Sequence, residues 1–286
     1  MILRASLMHF RCGQFRIDLS RPRVMGIVNV TPDSFSDGGR FFSPQRAIEH
    51  ARQLYDEGAD LLDIGGESTR PGAAAVGLQE ELDRVLPVIE GLCDVEIPVS
   101  IDTGKPEVMR AALDAGASLV NDVNALQAEG ALEIVAASSA GVCLMHKQGT
   151  PQTMQNQPAY DDVVAEVSNF LKHRMAVLEA AGIGRERILL DPGFGFGKTL
   201  AHNLALLRQL SRLTGLGVPL LVGLSRKSML GQLTGCEVDD RKNVSVVAAL
   251  LAVQRGAAIV RVHDVRETVE ALNILHALNN EDSNEP

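Results

Sequence analysis

The 286-residue sequence predicts an α/β protein, a (β/α)8 barrel (TIM barrel) preceded by a short N-terminal β-hairpin. Short runs of branched apolar residues alternate eight times with longer helix-like stretches, at about 30 residues a repeat. The apolar runs are nearly continuous, which is typical of strands buried on both faces of a parallel sheet. Polar residues follow every apolar run, at the place where each strand would end.

Strands and helices are expected in strict alternation along the chain. The predicted strands are Val24–Val30, Asp60–Ile64, Ile97–Ile101, Ser118–Asn121, Val142–Met145, Arg187–Leu190, Pro219–Val222 and Ala258–Val262. The predicted helices are Pro44–Glu57, Gln79–Leu92, Lys105–Ala115, Gly130–Ala137, Tyr160–Ala181, Leu200–Leu213, Asp239–Arg255 and Val265–Asn279. Several helices run into glycine, a residue that commonly ends helices. The same pairs could build an open doubly wound sheet, but their even spacing favours the closed barrel.

A single domain spanning residues 1–286 is expected, because no linker or low-complexity segment divides the chain. Residues 1–23 precede the first barrel strand. Within them Leu7–Cys12 and Gln14–Leu19 flank Gly13, a pattern that predicts a hairpin covering the floor of the barrel. The polar tail 279–286 is expected to fray.

The composition argues against several classes of partner. The chain carries 27 Lys and Arg against 36 Asp and Glu, a net charge of −9, so no general nucleic-acid or anionic-membrane binding is expected. No apolar run reaches the roughly 20 residues that span a membrane, and the first residues lack the features of a signal peptide. The four cysteines form no C-x-x-C pair. We therefore expect a soluble cytoplasmic enzyme acting on small molecules.

Polar side chains stand at or just after the end of every predicted strand. In order along the chain they are Asn29, Asp63, Asp102, Asn121, His146, Asp191, Ser225 with Lys227, and Arg261 with His263. A single such residue is usually a helix N-cap, and that interpretation is kept for Asp122 and Asp264. The whole set is costly to desolvate unless it binds a ligand, and a barrel brings it to one mouth.

The residue types at these positions indicate the kind of ligand. Carboxylate, amide and ammonium groups suit a planar heterocycle with amide and amino edges, and they are found at Asp102, Asn121, Asp191 and Lys227. Positive charge for a phosphate is available from Arg70, Arg261 and His263.

The residue types and their spacing also indicate which metal ion and which nucleophile the site could use. The amide oxygen of Asn29, with nearby Asp side chains, is the kind of ligand that Mg²⁺ accepts beside substrate phosphates. No His or Cys cluster has zinc spacing, and Ser225 lacks the G-x-S-x-G elbow of a serine nucleophile. The glycine-rich segment Gly193–Gly197 does not have Walker A spacing.

Two long segments resemble the signature segments of the bacterial dihydropteroate synthase family. They are MGIVNVTPDSFSDGG at residues 25–39 and DIGGESTRPG at residues 63–72. Further similar segments follow in the family's order, at Gly149–Met154, Asp191–Lys198, Ser225–Ser228 and Arg261–Val265. The resemblance covers roughly Val24 to Leu278, so it extends over the whole predicted barrel.

The resemblance implies a reaction in folate biosynthesis that sulfonamides target. Members of the family condense 6-hydroxymethyl-7,8-dihydropterin pyrophosphate with p-aminobenzoate, giving 7,8-dihydropteroate and pyrophosphate. A dissociative, cation-like transition state would need no protein nucleophile, consistent with the lack of one in the sequence. The family also implies Mg²⁺ as cofactor and a homodimer, formed through the last helices.

The family's site residues can be assigned to this sequence only where its motifs match. The resemblance implies that the pterin is bound by Asp102, Asn121, Asp191 and Lys227, with Asp63 in the ligand region. It implies that Asn29 binds Mg²⁺ and that Arg70, Arg261 and His263 hold pyrophosphate. The p-aminobenzoate would be bordered by Thr69, Pro71, Ser225 and Lys227, with Phe196 near its ring. Asp102, Lys227, Arg261 and His263 are the expected catalytic residues, acting through electrostatics.

Three alternatives fit parts of this pattern. A pterin-binding methyltransferase would not be expected to need the loops Thr31–Gly39 and Gly65–Gly72, nor the phosphate residues. A non-catalytic pterin-binding paralogue would not be expected to keep them. A phosphate-binding isomerase predicts an acid–base pair instead.

Two single residues are also of note. Gly104 departs from the larger residue expected before Lys105, and Lys147 is interpreted as solvent-exposed.

Overall fold

A computed structural model describes residues 9–31, 43–68, 73–149, 154 and 157–279. It begins with an antiparallel hairpin of β1 (His9–Cys12) and β2 (Phe15–Asp18), in which Phe10 pairs with Ile17. Gly13 makes the turn with a φ of +57°, a conformation that glycine adopts without strain. The hairpin therefore forms where the sequence predicted it, while Leu7 and Met8 of its predicted first strand lie outside the described residues.

Eight parallel strands close into a barrel, which confirms the predicted fold class. They are β3 (Arg23–Asn29), β4 (Leu61–Gly65), β5 (Val99–Asp102), β6 (Leu119–Asp122), β7 (Gly141–Met145), β8 (Ile188–Asp191), β9 (Leu220–Val222) and β10 (Ala257–Val262). Neighbours follow sequence order, and β10 closes the barrel against β3. The strand bounds lie within two residues of those predicted, because a buried strand leaves a strong apolar signal.

Helices follow the strands around the outside of the barrel. They are α1 (Pro44–Asp56), α2 (Leu78–Glu90), α3 (Pro106–Asp114), α4 (Ala131–Ala136), α5 (Val163–Ala180), α6 (Leu200–Arg208), α7 (Leu210–Leu213), α8 (Ser228–Thr234), α9 (Lys242–Gln254) and α10 (Val265–Asn279). None of the helices within the described ranges is both long and apolar enough to cross a bilayer.

Four features of the helices differ from the predictions, one of them the predicted start at Asp239, which moves to Lys242. The predicted helix Leu200–Leu213 is broken at Gln209 into α6 and α7. The short helix α8 was not predicted, because Gly231 lies inside it and it spans only seven residues. The predicted start at Tyr160 moves to Val163, since the carboxylate of Asp162 accepts the free N–H groups of the first turn.

The hairpin closes the amino-terminal end of the barrel. Phe10 and Cys12 are fully buried and pack with inward-facing strand residues, among them Met25, Leu61 and Ile259. Gly141 begins β7 directly beneath them, since a Cβ there would lie 2.5 Å from the Phe10 ring. The hairpin therefore covers the amino-terminal end of the barrel, as predicted. The opposite, carboxyl end of the barrel carries the polar strand ends.

Candidate active site

Strand register brings the polar strand ends into lateral contact. Asp102 of β5 pairs with Asn121 of β6, and Asp102 also pairs with Gly65 of β4 on its other side. Met145 pairs in the same way with Asp191 of β8. Parallel strands of similar length and register therefore place these side chains in one ring at the carboxyl end of the barrel.

Four of these residues form one hydrogen-bonded group, here called the floor network: Asp63, Asp102, Asn121 and Arg261. Arg261 Nε donates to Asp63 Oδ2 over 2.5 Å, and its Nη2 donates to Asp102 Oδ2 over 2.8 Å. The amide of Asn121 donates to the same Asp63 oxygen over 3.0 Å. The guanidinium thus links β10 to β4 and β5, and the Asn121 amide links β6 to β4.

Each carboxylate of the floor network keeps one buried oxygen without a partner. Among the described residues, Asp63 Oδ1 and Asp102 Oδ1 accept no hydrogen bond. A buried acceptor left unsatisfied costs about 1–3 kcal/mol, so the site has unused capacity for a donor. Burial raises the pKa of Asp102 to about 7 against the opposing attraction of Arg261. The floor is therefore prepared for a ligand with N–H groups.

Asp191 and Lys227 lie beside this network. Burial raises the pKa of Asp191, while the nearby Lys227 lowers it. Burial also lowers the pKa of Lys227 to about 8, against the attraction of Asp191. The Lys227 ammonium donates to the carbonyl of Phe194 and lies 4.7 Å from the centre of the Phe196 ring. The structure thus brings Phe196 to Lys227, as the sequence predicted for one pocket.

Ser225 and His263 meet between the ends of β9 and β10. The Ser225 hydroxyl lies 2.9 Å from Nδ1 of His263, and the His263 N–H donates to that hydroxyl over 3.2 Å. Asp264, interpreted from sequence as a helix cap, directly precedes α10 and its carbonyl accepts the Thr268 N–H, while its two carboxylate oxygens bind the guanidinium of Arg226. Arg226 lies between Ser225 and Lys227, so this ion pair fixes the segment that carries both.

Four predicted site residues remain, of which the structure describes one. Asn29 ends β3 half-buried at the mouth. Thr69, Arg70 and Pro71 lie outside the described residues, as do residues 32–42 of the first long loop. Within the described ranges no group of three His, Cys, Asp or Glu side chains could hold a metal ion.

Sequence reasoning missed an ion network beside the floor. The Lys105 ammonium binds Glu67, just after β4, and the fully buried Glu81 of α2. Glu81 also accepts the Thr103 hydroxyl over 2.6 Å, and Glu67 accepts the N–H of Val76 over 3.2 Å. A Glu on an amphipathic helix gives no sequence signal of burial, because its partner lies 24 residues away.

A cavity of about 250 Å³ opens between this ion network and Asp102. Lys147 lines it and is half-buried, with its pKa lowered by burial, so the interpretation as a solvent-exposed lysine is wrong. Asn124 occupies the space where a side chain at Gly104 would lie, since a Cβ there would approach its amide nitrogen to 2.2 Å. Asp122 caps the intervening turn by accepting the N–H groups of Asn124 and Leu126.

The fold and this mouth define a (β/α)8-barrel enzyme whose site combines buried acceptors with cationic groups. The family profile described as pterin binding enzyme matches residues 25–263, and the chain belongs to that family. It is 52% identical over 262 residues to the dihydropteroate synthase of Escherichia coli (strain K12), an alignment that covers 91% of this chain and 93% of the relative.

Solved structures agree with that assignment. The dihydropteroate synthase of Xanthomonas albilineans with 4-aminobenzoic acid is 55% identical and superposes with a TM-score of 0.90, over 96% of this chain and 98% of that one. The Burkholderia cenocepacia dihydropteroate synthase complexed with 7,8-dihydropteroate is 48% identical, with a TM-score of 0.87 over 96% and 97% of the two chains. Similarity therefore extends over the barrel and its mouth.

Proposed function

We propose that this protein catalyses the dihydropteroate synthase reaction. It condenses 6-hydroxymethyl-7,8-dihydropterin pyrophosphate with p-aminobenzoate, giving 7,8-dihydropteroate and pyrophosphate. The observation that carries the proposal is the pair of unsatisfied acceptors, Asp63 Oδ1 and Asp102 Oδ1, at the floor of the barrel mouth. A pterin presents amino and ring N–H donors along one edge, the complement of such a floor.

The pterin is assigned to the floor network together with Asp191 and Lys227. Asp102 and Asp191 accept N–H groups of the ring, Asn121 matches a donor and acceptor pair, and Lys227 contacts the ring system. Because all four side chains are anchored on strand ends or just beyond them, the ring would be oriented before reaction. The same carboxylates stabilise positive charge that develops on the pterin in the transition state.

The diphosphate is assigned to the opposite rim of the mouth. Arg261 uses two nitrogens on the floor carboxylates, and its Nη1 donates to none of the described residues. That nitrogen, His263 and Arg70 would contact the phosphates, where negative charge grows as pyrophosphate leaves. The link from Arg261 to Asp63 and Asp102 joins the two halves of the substrate site.

Mg²⁺ is proposed as the cofactor, with Asn29 as its protein ligand. Asn29 ends β3 at the mouth, and its amide oxygen is the kind of ligand that Mg²⁺ accepts beside substrate phosphates. When bound, the ion would neutralise charge on the departing pyrophosphate.

The p-aminobenzoate is assigned to the outer part of the mouth, near Ser225, Lys227 and Phe196, with Thr69 and Pro71. Its amine nitrogen attacks the exocyclic carbon of the pterin. The bond from that carbon to the pyrophosphate oxygen breaks, and the nitrogen loses one proton. No residue in the site is placed as a covalent nucleophile, so we propose a dissociative substitution in which alignment supplies much of the rate.

A turnover assay tests this function. Purified protein with pterin pyrophosphate, Mg²⁺ and p-aminobenzoate should release pyrophosphate and form 7,8-dihydropteroate, and omission of p-aminobenzoate should stop product formation. Asp191→Asn, which keeps the size of the side chain, should abolish pterin binding while the protein stays folded. Absence of product at any enzyme concentration would overturn the proposal.

A homodimer is proposed from exposed apolar side chains on α9 and α10. Val247 and Leu251 are 55% and 37% exposed, and Ile274 and Leu278 are 64% and 76% exposed. Each pair is spaced i, i+4 along one face of its helix, and the two helices contact each other; exposed apolar faces of this kind are typical of an interface. Ile274→Glu should yield monomers by light scattering, whereas Leu233→Glu, on an exposed residue of α8, should leave the dimer intact. A native monomer would contradict it.

A cytoplasmic location is proposed from the state of the cysteines. All four are free: Cys12 and Cys143 are buried, and Cys93 and Cys236 are not. Unpaired thiols are typical of proteins kept in a reducing compartment. Fractionation of cells that express the native chain should recover it with cytoplasmic markers, and recovery with the membrane or secreted fraction would contradict the proposal.

A further inference from the structure

Lys198 is a buried lysine that the proposed mechanism does not use. It is 2% exposed, and its ammonium donates to the carbonyls of Gly193 over 2.8 Å and Phe196 over 3.1 Å. It also lies 2.9 Å from Nδ1 of His146. Burial lowers the pKa of Lys198 to about 7 and that of His146 to about 3, so when the amine is protonated Nδ1 of the neutral imidazole accepts from it and the ring carries its hydrogen on Nε2. The lysine therefore has a full set of partners in a place where an unpaired cation would be costly.

The partners of Lys198 lie on the loop that follows β8, here called the β8 loop and defined as residues 192–198. Gly193 has a φ of +69°, and a Cβ there would lie 1.8 Å from the carbonyl oxygen of His146. Gly197 has a φ of +62°, and a Cβ there would lie 2.4 Å from the carbonyl oxygen of Gln148. The β8 loop is thus pressed against the end of β7 and is folded around the Lys198 ammonium.

The other side of the β8 loop meets Lys227. The Phe194 carbonyl accepts from the Lys227 ammonium, and the Phe196 ring faces it at 4.7 Å. The two carbonyls bound by Lys198 belong to Gly193 and Phe196, on either side of the Phe194 carbonyl. The contacts that hold Lys227 therefore depend on backbone that Lys198 fixes.

We propose that Lys198 is a positioning residue for pterin binding. It orders the β8 loop so that the Phe194 carbonyl and the Phe196 ring hold the Lys227 ammonium in the orientation that meets the pterin. The inference rests on the proposed function in one respect, the contact between Lys227 and the pterin. Its structural part, the dependence of Lys227 on Lys198, stands independently of the substrate.

Other anchors would keep the loop attached without the ammonium. Asn203 of α6 accepts the N–H of Gly195 over 2.8 Å and donates to the Lys198 carbonyl over 3.2 Å. The Tyr160 hydroxyl donates to the Gly197 carbonyl over 2.8 Å. Removal of the ammonium should therefore displace residues 193–196 locally and leave the barrel folded. Tyr160→Phe supplies a matched control, because it removes one hydrogen bond to the same loop at a point away from Lys227.

The test compares Lys198→Met, Lys198→Gln and Tyr160→Phe. Lys198→Met should weaken binding of a pterin without phosphate by about tenfold, the scale of losses when a residue that orients a ligand group is removed. It should raise the KM for pterin pyrophosphate more than it lowers kcat. Lys198→Gln keeps two N–H donors and should recover part of the affinity. Tyr160→Phe should lower Tm with pterin affinity within about twofold of native. Equal affinity in Lys198→Met and native protein would overturn the proposal.

A second measurement separates this inference from the proposed function. NMR titration of the Lys227 side chain without any substrate should show its pKa falling further below about 8 in Lys198→Met, because the Phe194 carbonyl and the Phe196 ring that stabilise its ammonium are displaced. An unchanged Lys227 titration would overturn the positioning role alone. Failure of native protein to bind pterin would overturn the proposed function alone. If Lys198→Met does not fold, the same titration in Lys198→Gln decides the result.

Discussion

The guanidinium of Arg261 donates to the carboxylate of Asp102 over 2.8 Å, although 159 residues separate them. The same guanidinium binds Asp63, whose side chain is fully buried. A cation placed between two carboxylates stabilises their charge while one oxygen of each stays available. Binding of a ligand and stability of the barrel therefore share the same side chains.

Asp63→Asn should destabilise the protein by about 3 kcal/mol. It removes a buried charge and leaves Arg261 with a neutral partner, and breaking a buried ion pair from one side costs about 3–5 kcal/mol. Urea unfolding at pH 8 measures the loss. Asp102→Asn is the comparison: the raised pKa shows that the fold already disfavours this charge, so the loss should stay below about 1 kcal/mol. Equal losses would contradict the argument.

The kcat/KM for the pterin substrate should be bell-shaped in pH. Asp102 accepts from the ligand only as a carboxylate, so activity should fall as the pH drops through about 7. Lys227 loses its positive charge as the pH rises through about 8, and activity should fall again. Steady-state rates between pH 5 and 10 would show both limbs. In Asp102→Asn the acidic limb should disappear, and its persistence would assign it to another group.

The same pKa of Asp102 has the opposite effect on stability without ligand. Its folded value of about 7 lies above the ordinary value of 3.8, so the folded state binds this proton more tightly than the unfolded chain. The contribution of Asp102 to the free energy of unfolding should then decrease as pH rises from about 4 to about 7. A difference between native and Asp102→Asn curves over that range measures it, and parallel curves would exclude it.

Lys105→Met should cost about 3 kcal/mol of stability. It leaves Glu81 buried with only the Thr103 hydroxyl as a side-chain partner, an uncompensated buried charge. Lys242→Met is the control, because Lys242 and Glu267 are 49% and 37% exposed and a surface pair is worth less than about 1 kcal/mol. Chemical denaturation of the two variants compares them, and similar losses would show that burial of Glu81 is not what matters.

Arg226→Gly should be more stable than Arg226→Ala by about 1 kcal/mol. Arg226 has a φ of +56°, a left-handed conformation that costs a residue with a Cβ about 1–2 kcal/mol. Both variants lose the ion pair with Asp264, so their difference isolates the backbone strain. The strain is sustained because Ser245 accepts the Arg226 N–H over 2.9 Å and Arg241 donates to its carbonyl over 3.2 Å. The reverse order of stabilities by thermal unfolding would refute it.

Much of the fold could be predicted because its signals are local. Buried parallel strands appear as apolar runs, and a barrel gathers their ends at one mouth, so Asp102 and Asn121 could be expected together before any contact was known. Pairings between distant residues carry no such signal. Arg261 was expected to hold phosphate, and its bonds to Asp63 and Asp102 depend on closure of the barrel, which places β10 next to β3 and so near β4 and β5.

Burial of charged groups was the other information that the sequence lacked. A periodic helix pattern shows which face of α2 is apolar, but Glu81 lies within the buried face and is satisfied by Lys105. Lys198 follows a glycine-rich segment that looked like an ordinary loop, and its burial comes from carbonyls that point inward. The break at Gln209 has no proline or glycine to mark it in the sequence.

Phe10 and Cys12 close one end of the barrel, so ligands can enter and leave only at the other end, where the strands end. Two reactants and two products must share the opening at the strand ends, and whichever binds against the floor enters first. A molecule seated above it then blocks its escape until the upper one departs. The side chains that fill the barrel, with the hairpin beneath them, would thereby set an order of binding and release at the site.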